Sequence, residues 1–194
     1  MTQTLGMHPG LHAQTTPDKA AVLMAGSGEV VTYRELDERS NRLARLLWAQ
    51  GLRPGDHIAI FADNHPRFFE VFWAAARSGL YFTTVNRYLQ ADEAAYIVND
   101  CGATAFVASH AKADVAAEVV GLIPDCPLRL MWDGTVPGYE SYEERLADHP
   151  PAPLERQPLG ETMLYSSGTT GRPKGIKRPL SGADVGAGLR LNPL

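Results

Sequence analysis

Apolar positions along this chain follow two spacings that take turns. Residues 20–25 are mostly apolar, Gly26-Ser27-Gly28 marks a turn, and Val30-Val31 resumes the apolar character, which predicts a strand pair at a domain edge. Thr32 then opens the clearest helix. Thr32 and Glu35 have the spacing of a capping box, in which the hydroxyl accepts a backbone N–H and the carboxylate reaches back. Leu36, Leu43 and Leu47 recur at helical spacing, with Ala44 and Leu46 widening the stripe. Arg34, Glu38, Arg39, Arg42 and Arg45 lie mostly off it and read as a solvated face. Gly51 and Pro54 end the helix. Residues 57–61 form a short apolar run that predicts a buried strand. Asn64 reads as the N-cap of a helix carrying Phe68, Phe69, Phe72, Trp73 and Ala76, a broad aromatic face expected in the core, with Gly79 at its end. Residues 81–85 predict a strand. Ala94, Ile97, Val98 and Cys101 mark a helix closed by Gly102. A strand at 104–108, a helix at 111–120 and a strand at 128–132 follow.

Alternating strand and helix periods with short connections predict an α/β fold, a mostly parallel sheet with helices on both faces. Residues 139–147 can form a short polar helix. Pro150, Pro151, Pro153 and Pro158 then bar both a helix and a central strand. This stiff connection divides the chain into an α/β subdomain, residues 1–150, and residues 151–194, which open a second, incomplete subdomain. No internal repeat is present.

Composition narrows the function classes. At 194 residues and 44% hydrophobic the chain can bury a core, as one domain or slightly more. A net charge of -4 argues against sequence-independent nucleic-acid binding, which needs a basic face. Cys101 and Cys126 lack a Cys-x-x-Cys pairing, so both are expected to be buried or half-buried thiols in a reducing cytoplasm. No apolar stretch of about 18 residues predicts a transmembrane helix. The N-terminus lacks the basic start and apolar run of a secretory signal. His8 and His12 can share a helix face, but Gly10 lies between them without an acidic third ligand, so no metal is expected there.

The chemistry concentrates near the end. Residues 162–165 read as a strand running straight into Ser166-Ser167-Gly168-Thr169-Thr170-Gly171. Glycines let backbone approach a ligand closely, and successive N–H groups can converge on an anion. The hydroxyls of Ser166, Ser167, Thr169 and Thr170 add donors that rotate to suit phosphate oxygens, and Lys174 adds a mobile positive charge. Residues 172–178 hold Arg172, Lys174, Lys177 and Arg178 and no acid, a concentrated positive segment in an acidic chain. A Walker loop is excluded, because two residues rather than four separate Gly168 from Gly171 and Lys174 is followed by Gly175. The dinucleotide fingerprint is also absent from this loop. A surface connector can share the composition, but the ordered string Tyr165-Ser166-Ser167-Gly168-Thr169-Thr170-Gly171-Arg172-Pro173-Lys174-Gly175 is far more specific.

That string resembles the phosphate-binding signature of the AMP-forming acyl-CoA synthetases, within the adenylate-forming superfamily. The resemblance covers nearly the whole chain, including the helix around Leu36, residues 54–86 and residues 92–109. It implies that the chain is the first part of the large N-terminal domain of such an enzyme. The implied reaction has two steps: a carboxylate attacks the α-phosphate of ATP to give an acyl-adenylate and pyrophosphate, and coenzyme A then displaces AMP. Carried over residue by residue, Ser166, Ser167, Gly168, Thr169, Thr170, Gly171 and Lys174 hold the β- and γ-phosphates, with Thr169 and Thr170 nearest Mg2+. The family continues after Pro-Lys-Gly with apolar residues and a Ser/Thr-His pair, whereas this chain reads Ile176-Lys177-Arg178-Pro179-Leu180. The acyl pocket, the adenine-gripping motif and the catalytic lysine of the family have no counterpart in these residues. The isolated chain is therefore expected to make no thioester. A fatty acid is the expected substrate, with an aryl acid or an amino acid as the other choices, and a non-catalytic nucleotide-binding or regulatory module that keeps the fold is the alternative function. Apolar area left uncovered on the sheet predicts a homodimer or a sticky monomer.

Overall fold

The computed structural model describes residues 8–166 and 172–187. In chain order the elements are α1 (Pro9–Thr15), β1 (Ala20–Leu23), β2 (Val30–Thr32), α2 (Tyr33–Ala49), β3 (His57–Phe61), α3 (Arg67–Ala76), β4 (Tyr81–Val85), α4 (Ala91–Asp100), β5 (Ala103–Ser109), α5 (Ala113–Val119), β6 (Leu128–Trp132), β7 (Glu140–Ser141), α6 (Tyr142–Ala147), β8 (Glu161–Ser166) and β9 (Lys174–Lys177).

β1 and β2 form the expected antiparallel pair. α2 starts on the expected capping box: Glu35 N–H donates to Thr32 Oγ1 at 3.2 Å, and Thr32 N–H donates to Glu35 Oε2 at 2.8 Å. Leu36, Leu43, Ala44, Leu46 and Leu47 are its buried stripe. The charged face is less solvated than its sequence announces. Arg42 donates to the His149 carbonyl, and Arg45 donates to the carbonyls of Ala152 and Pro153, so this face grips the proline-rich connection. Arg39 reaches Glu70 of α3 at 3.3 Å, and Glu70 also accepts from the Tyr142 hydroxyl of α6 at 3.1 Å. Burial raises the Glu70 carboxyl above its ordinary range against the pull of these donors.

α3 corrects the expectation at Asn64. The helix begins at Arg67 behind Pro66, whose φ of -57° is already helical. Arg67 N–H donates to His65 Nδ1 at 3.2 Å, so His65 rather than Asn64 takes the free donor. The aromatic stripe is only partly core. Trp73 and Ala76 are buried, Phe68 and Phe72 meet the Phe82 ring edge-on, and Phe69 is 42% exposed. The most buried face of α3 is instead Val71, Ala74 and Ala75, whose small side chains let it pack on α2 and the sheet.

The main sheet has the order β7-β6-β5-β3-β4-β8-β9. Every neighbouring pair is parallel except β8 with β9. Strand alternation sorts the side chains between two cores. Ile58, Ile60, Phe82, Val107 and Leu130 pack under α2, α3 and α6. Ala59, Phe61, Val85, Phe106, Ala108 and Met131 pack under α4 and α5. The fold is thus the predicted mostly parallel α/β sheet covered on both faces. The stretch 139–147 divides into a two-residue edge strand and α6, and the helix near 111–120 opens with a 3-10 turn before α5. Cys101 and Cys126 are both buried thiols.

After the prolines the chain returns to the sheet beside β4, with Tyr81 opposite Glu161. Gly160 makes that return possible. Its N–H donates to the Ala76 carbonyl at 2.8 Å, and a Cβ there would stand 2.3 Å from the Leu80 carbonyl oxygen.

Candidate functional site

β8 carries the chain to the carboxyl edge of the parallel sheet, where ligands bind in open α/β folds. β9 brings it back antiparallel, pairing Ser166 with Lys174, Tyr165 with Gly175, Leu164 with Ile176 and Met163 with Lys177. Two of the site residues expected from the sequence, Ser166 and Lys174, are therefore cross-strand partners at the loop end, or mouth, of one hairpin, both exposed. Ser167, Gly168, Thr169, Thr170 and Gly171 lie outside the described residues.

The hairpin is held at three levels against the face that carries α4. In the middle, the Tyr165 hydroxyl donates to Asp100 of α4 at 2.6 Å. Burial, and then the bond to Asp100, push this phenol far above its ordinary range, so it keeps its proton and remains the donor. The Tyr165 ring also explains Gly175, because a Cβ there would stand 3.1 Å from the ring and 2.4 Å from the Met163 methyl. Near the mouth, the Tyr96 hydroxyl of α4 donates to the Pro173 carbonyl at 3.2 Å, and the Arg172 guanidinium lies 5.1 Å from the Tyr96 ring centre.

At the foot, Lys177 Nζ sits 2.8 Å from His57 Nε2 and 4.2 Å from the centre of the Tyr81 ring, on which His57 is stacked. An ammonium can only donate, so His57 Nε2 must be the acceptor and the ring neutral. Burial first, then the Lys177 charge, lower the His57 pKa to about 4. The Tyr81 hydroxyl donates to the Arg178 carbonyl at 2.7 Å. The positive segment of residues 172–178 is thus divided in space. Lys177 is spent at the foot of the hairpin, while Arg172 and Lys174 stand at its mouth. Among the described residues neither has a carboxylate within ion-pair distance.

Sequence reasoning missed Tyr96, Asp100 and His57. Tyr96 and Asp100 are four apart and off the apolar stripe of α4, a signal visible in sequence only once the hairpin is known to lie against that helix. His57 shows no local signal, because its partner is on the last strand.

A second concavity of about 370 Å3 opens at the carboxyl ends of β3 and β4, lined in part by Asp63, His65, Phe68, Asn86 and Arg87. The connection after β3 crosses to one face of the sheet and that after β4 to the other, which makes this the strand-order reversal typical of ligand crevices. The histidines near the N-terminus have other employment: His8 Nδ1 accepts from Gly10 N–H, and His12 stacks on Tyr33. No helix among the described residues is long and apolar enough to cross a membrane.

Comparison with known proteins agrees with this geometry. The fatty acid–[acyl-carrier-protein] ligase ScoC of Streptomyces coeruleorubidus is 31% identical over 175 residues, 90% of this chain and 32% of that protein. The feruloyl-CoA synthase of an Amycolatopsis species is 34% identical over 178 residues, 89% of this chain and 33% of that protein. The chain therefore spans about a third of the length of these curated relatives. In fold it is similar to the crystal structure of the anthranilate CoA ligase AuaEII in complex with anthranoyl-AMP, with a TM-score of 0.72 at 21% identity over 89% of this chain and 34% of that one. A family model described as AMP-binding enzyme matches residues 11–180. That match runs from the first helix through the whole β8–β9 hairpin, and the chain belongs to the AMP-binding enzyme family.

Proposed function

We propose that this chain is the N-terminal part of an acyl-CoA ligase, which activates a carboxylic acid with ATP and passes the acyl group to coenzyme A. A carboxylate oxygen attacks the α-phosphorus, the bond to the bridging oxygen breaks, and pyrophosphate leaves with the electron pair. The CoA thiol then attacks the acyl carbon and AMP departs. Ser166 and Lys174, with Ser167, Gly168, Thr169, Thr170 and Gly171, are the proposed holders of the β- and γ-phosphates. Their contribution is to orient the triphosphate and to meet the negative charge that grows on the leaving pyrophosphate.

The observation that carries this reading is the pairing of Ser166 with Lys174 at the hairpin mouth, with Lys174 unpaired to any carboxylate among the described residues. A fatty acid as substrate is supported by the name of the ScoC relative, and coenzyme A as acceptor by that of the feruloyl-CoA synthase. Among the described residues no group of three His, Cys, Asp or Glu side chains gathers at metal-binding spacing. A Mg2+ arriving with ATP would be held in part by phosphate oxygens, with the Thr169 and Thr170 hydroxyls as its candidates within this chain. On this reading residues 151–194 begin a second subdomain, and the buried thiols suit a cytoplasmic site of action.

Calorimetric titration tests the proposal. MgATP and magnesium pyrophosphate are expected to bind the 194-residue chain in the micromolar range, and Lys174→Ala is expected to weaken both by about tenfold or more. Purified chain supplied with fatty acid, ATP and coenzyme A is expected to yield no thioester. Absence of binding, or indifference to Lys174→Ala, would remove the phosphate grip from the account.

A further inference from the structure

We propose that Arg172 is a second phosphate-binding cation, and that Tyr96 of α4 is the positioning residue that presents it. The inference rests on the phosphate-binding reading of the β8–β9 hairpin and adds a residue to it.

The two cations at the mouth stand on opposite faces of the sheet. Lys174 shares its face with Ser166, Leu164 and Ile176, on the side of α3, because cross-strand partners point the same way. Arg172 instead reaches over α4, on the other side. A linear polyphosphate entering the mouth would thus meet a positive charge on each flank.

Tyr96 controls Arg172 twice. Its hydroxyl holds the next peptide, at Pro173 O, and its ring carries the guanidinium. The guanidinium lies within cation–π distance of the ring, and no hydrogen bond among the described residues engages its donors, which leaves them for the bidentate bonds that phosphate oxygens accept. Nothing competes for those donors among the described carboxylates. Asp100 is engaged by Tyr165, and Glu93 of the same helix accepts from Gln90 N–H at 2.9 Å in a capping box. An arginine fixed this way loses little freedom on meeting a ligand, so more of its attraction is retained as affinity.

The test is a double-mutant cycle on the 194-residue chain, titrated with magnesium pyrophosphate, with thermal unfolding alongside. Arg172→Gln is expected to weaken pyrophosphate about tenfold while leaving the unfolding midpoint near wild type, since the side chain is exposed. Tyr96→Leu should cost about fivefold, and Tyr96→Phe, which keeps the ring, should stay within about twofold. The Tyr96→Leu/Arg172→Gln double variant should bind no worse than Arg172→Gln alone, because Tyr96 acts through Arg172. Additive losses, or losses in Tyr96→Leu that track only its unfolding midpoint, would overturn the positioning role. A wild type that binds pyrophosphate and is weakened by Lys174→Ala but not by Arg172→Gln would overturn this inference and leave the hairpin reading standing. A wild type that binds no pyrophosphate would overturn both.

Discussion

At the scale of single residues, His8 and His57 are held without a proton. Burial comes first as the cause for both, then Arg77 beside His8 and Lys177 beside His57, and each pKa is lowered to about 4. In the unfolded chain both return to about 6.5. Between pH 6.5 and pH 4 the unfolded state binds protons that the folded state refuses, so stability is full above pH 6.5 and falls as pH drops through that window. Urea midpoints measured at pH 7 and pH 5 should show the loss. His57→Gln, which cannot take a proton, should show a smaller difference between the two pH values than wild type. An equal difference would mean that His57 titrates normally in the fold. Glycines give a second comparison. At Gly160 a Cβ meets backbone oxygens, those of Leu80 and Ala75, which cannot move aside. At Gly175 it meets chiefly the flexible Met163 methyl. Gly160→Ala should therefore destabilise by about 3 kcal/mol and Gly175→Ala by about 1 kcal/mol in denaturant unfolding. Gly175 stood in the motif, but the need for Gly160 was not legible, because the carbonyls that enforce it belong to α3 and the turn before β4.

At the scale of elements, local signals were read well and distant ones poorly. The strands at 57–61, 81–85 and 128–132 were legible to the residue, because a short run rich in apolar and β-branched residues between turn residues is enough to specify a strand. The capping box of α2 was legible because both of its partners sit within four residues. It yields a direct expectation: Thr32→Ala should cost about 1 kcal/mol in chemical denaturation, with the loss following the missing acceptor for Glu35 N–H. Little change would mean that another group takes over the cap. Asn64 misled because Pro66 already sets the backbone of the first turn, which leaves a side-chain cap two residues earlier nothing to do. The charged face of α2 misled for a different reason: the carbonyls that Arg42 and Arg45 bind come from residues 149–153, a contact no local period encodes. The anchors of the hairpin fall in the same class, since Tyr96, Asp100 and His57 meet it from far along the chain. The family was legible in the string of residues 165–175, whereas the anchoring of the β8–β9 hairpin was not.

At the scale of the whole molecule, the sheet is well covered except around its last two strands. Leu164 and Ile176 face each other across β8 and β9 and are 48% and 55% exposed. β9 is also an edge strand with open backbone groups, and such an edge invites pairing. Light scattering at rising concentration is expected to reveal self-association, and replacing Leu164 and Ile176 together by lysine should reduce it. A clean monomer at high concentration would show that the two lysines of β9 already protect the edge.

The pairing of Ser166 with Lys174 also bears on how this site can vary in size. Cross-strand pairing fixes the separation of Ser166 and Lys174 by the ladder rather than by a ligand. Extra residues between 166 and 174 add a closure entropy that grows only slowly with length. One extra residue in β9 itself would instead slip the register and turn Lys174 and Ile176 to the opposite face. The pairing therefore separates two kinds of change: added length between the strands costs the fold little, while the side from which Lys174 points is locked.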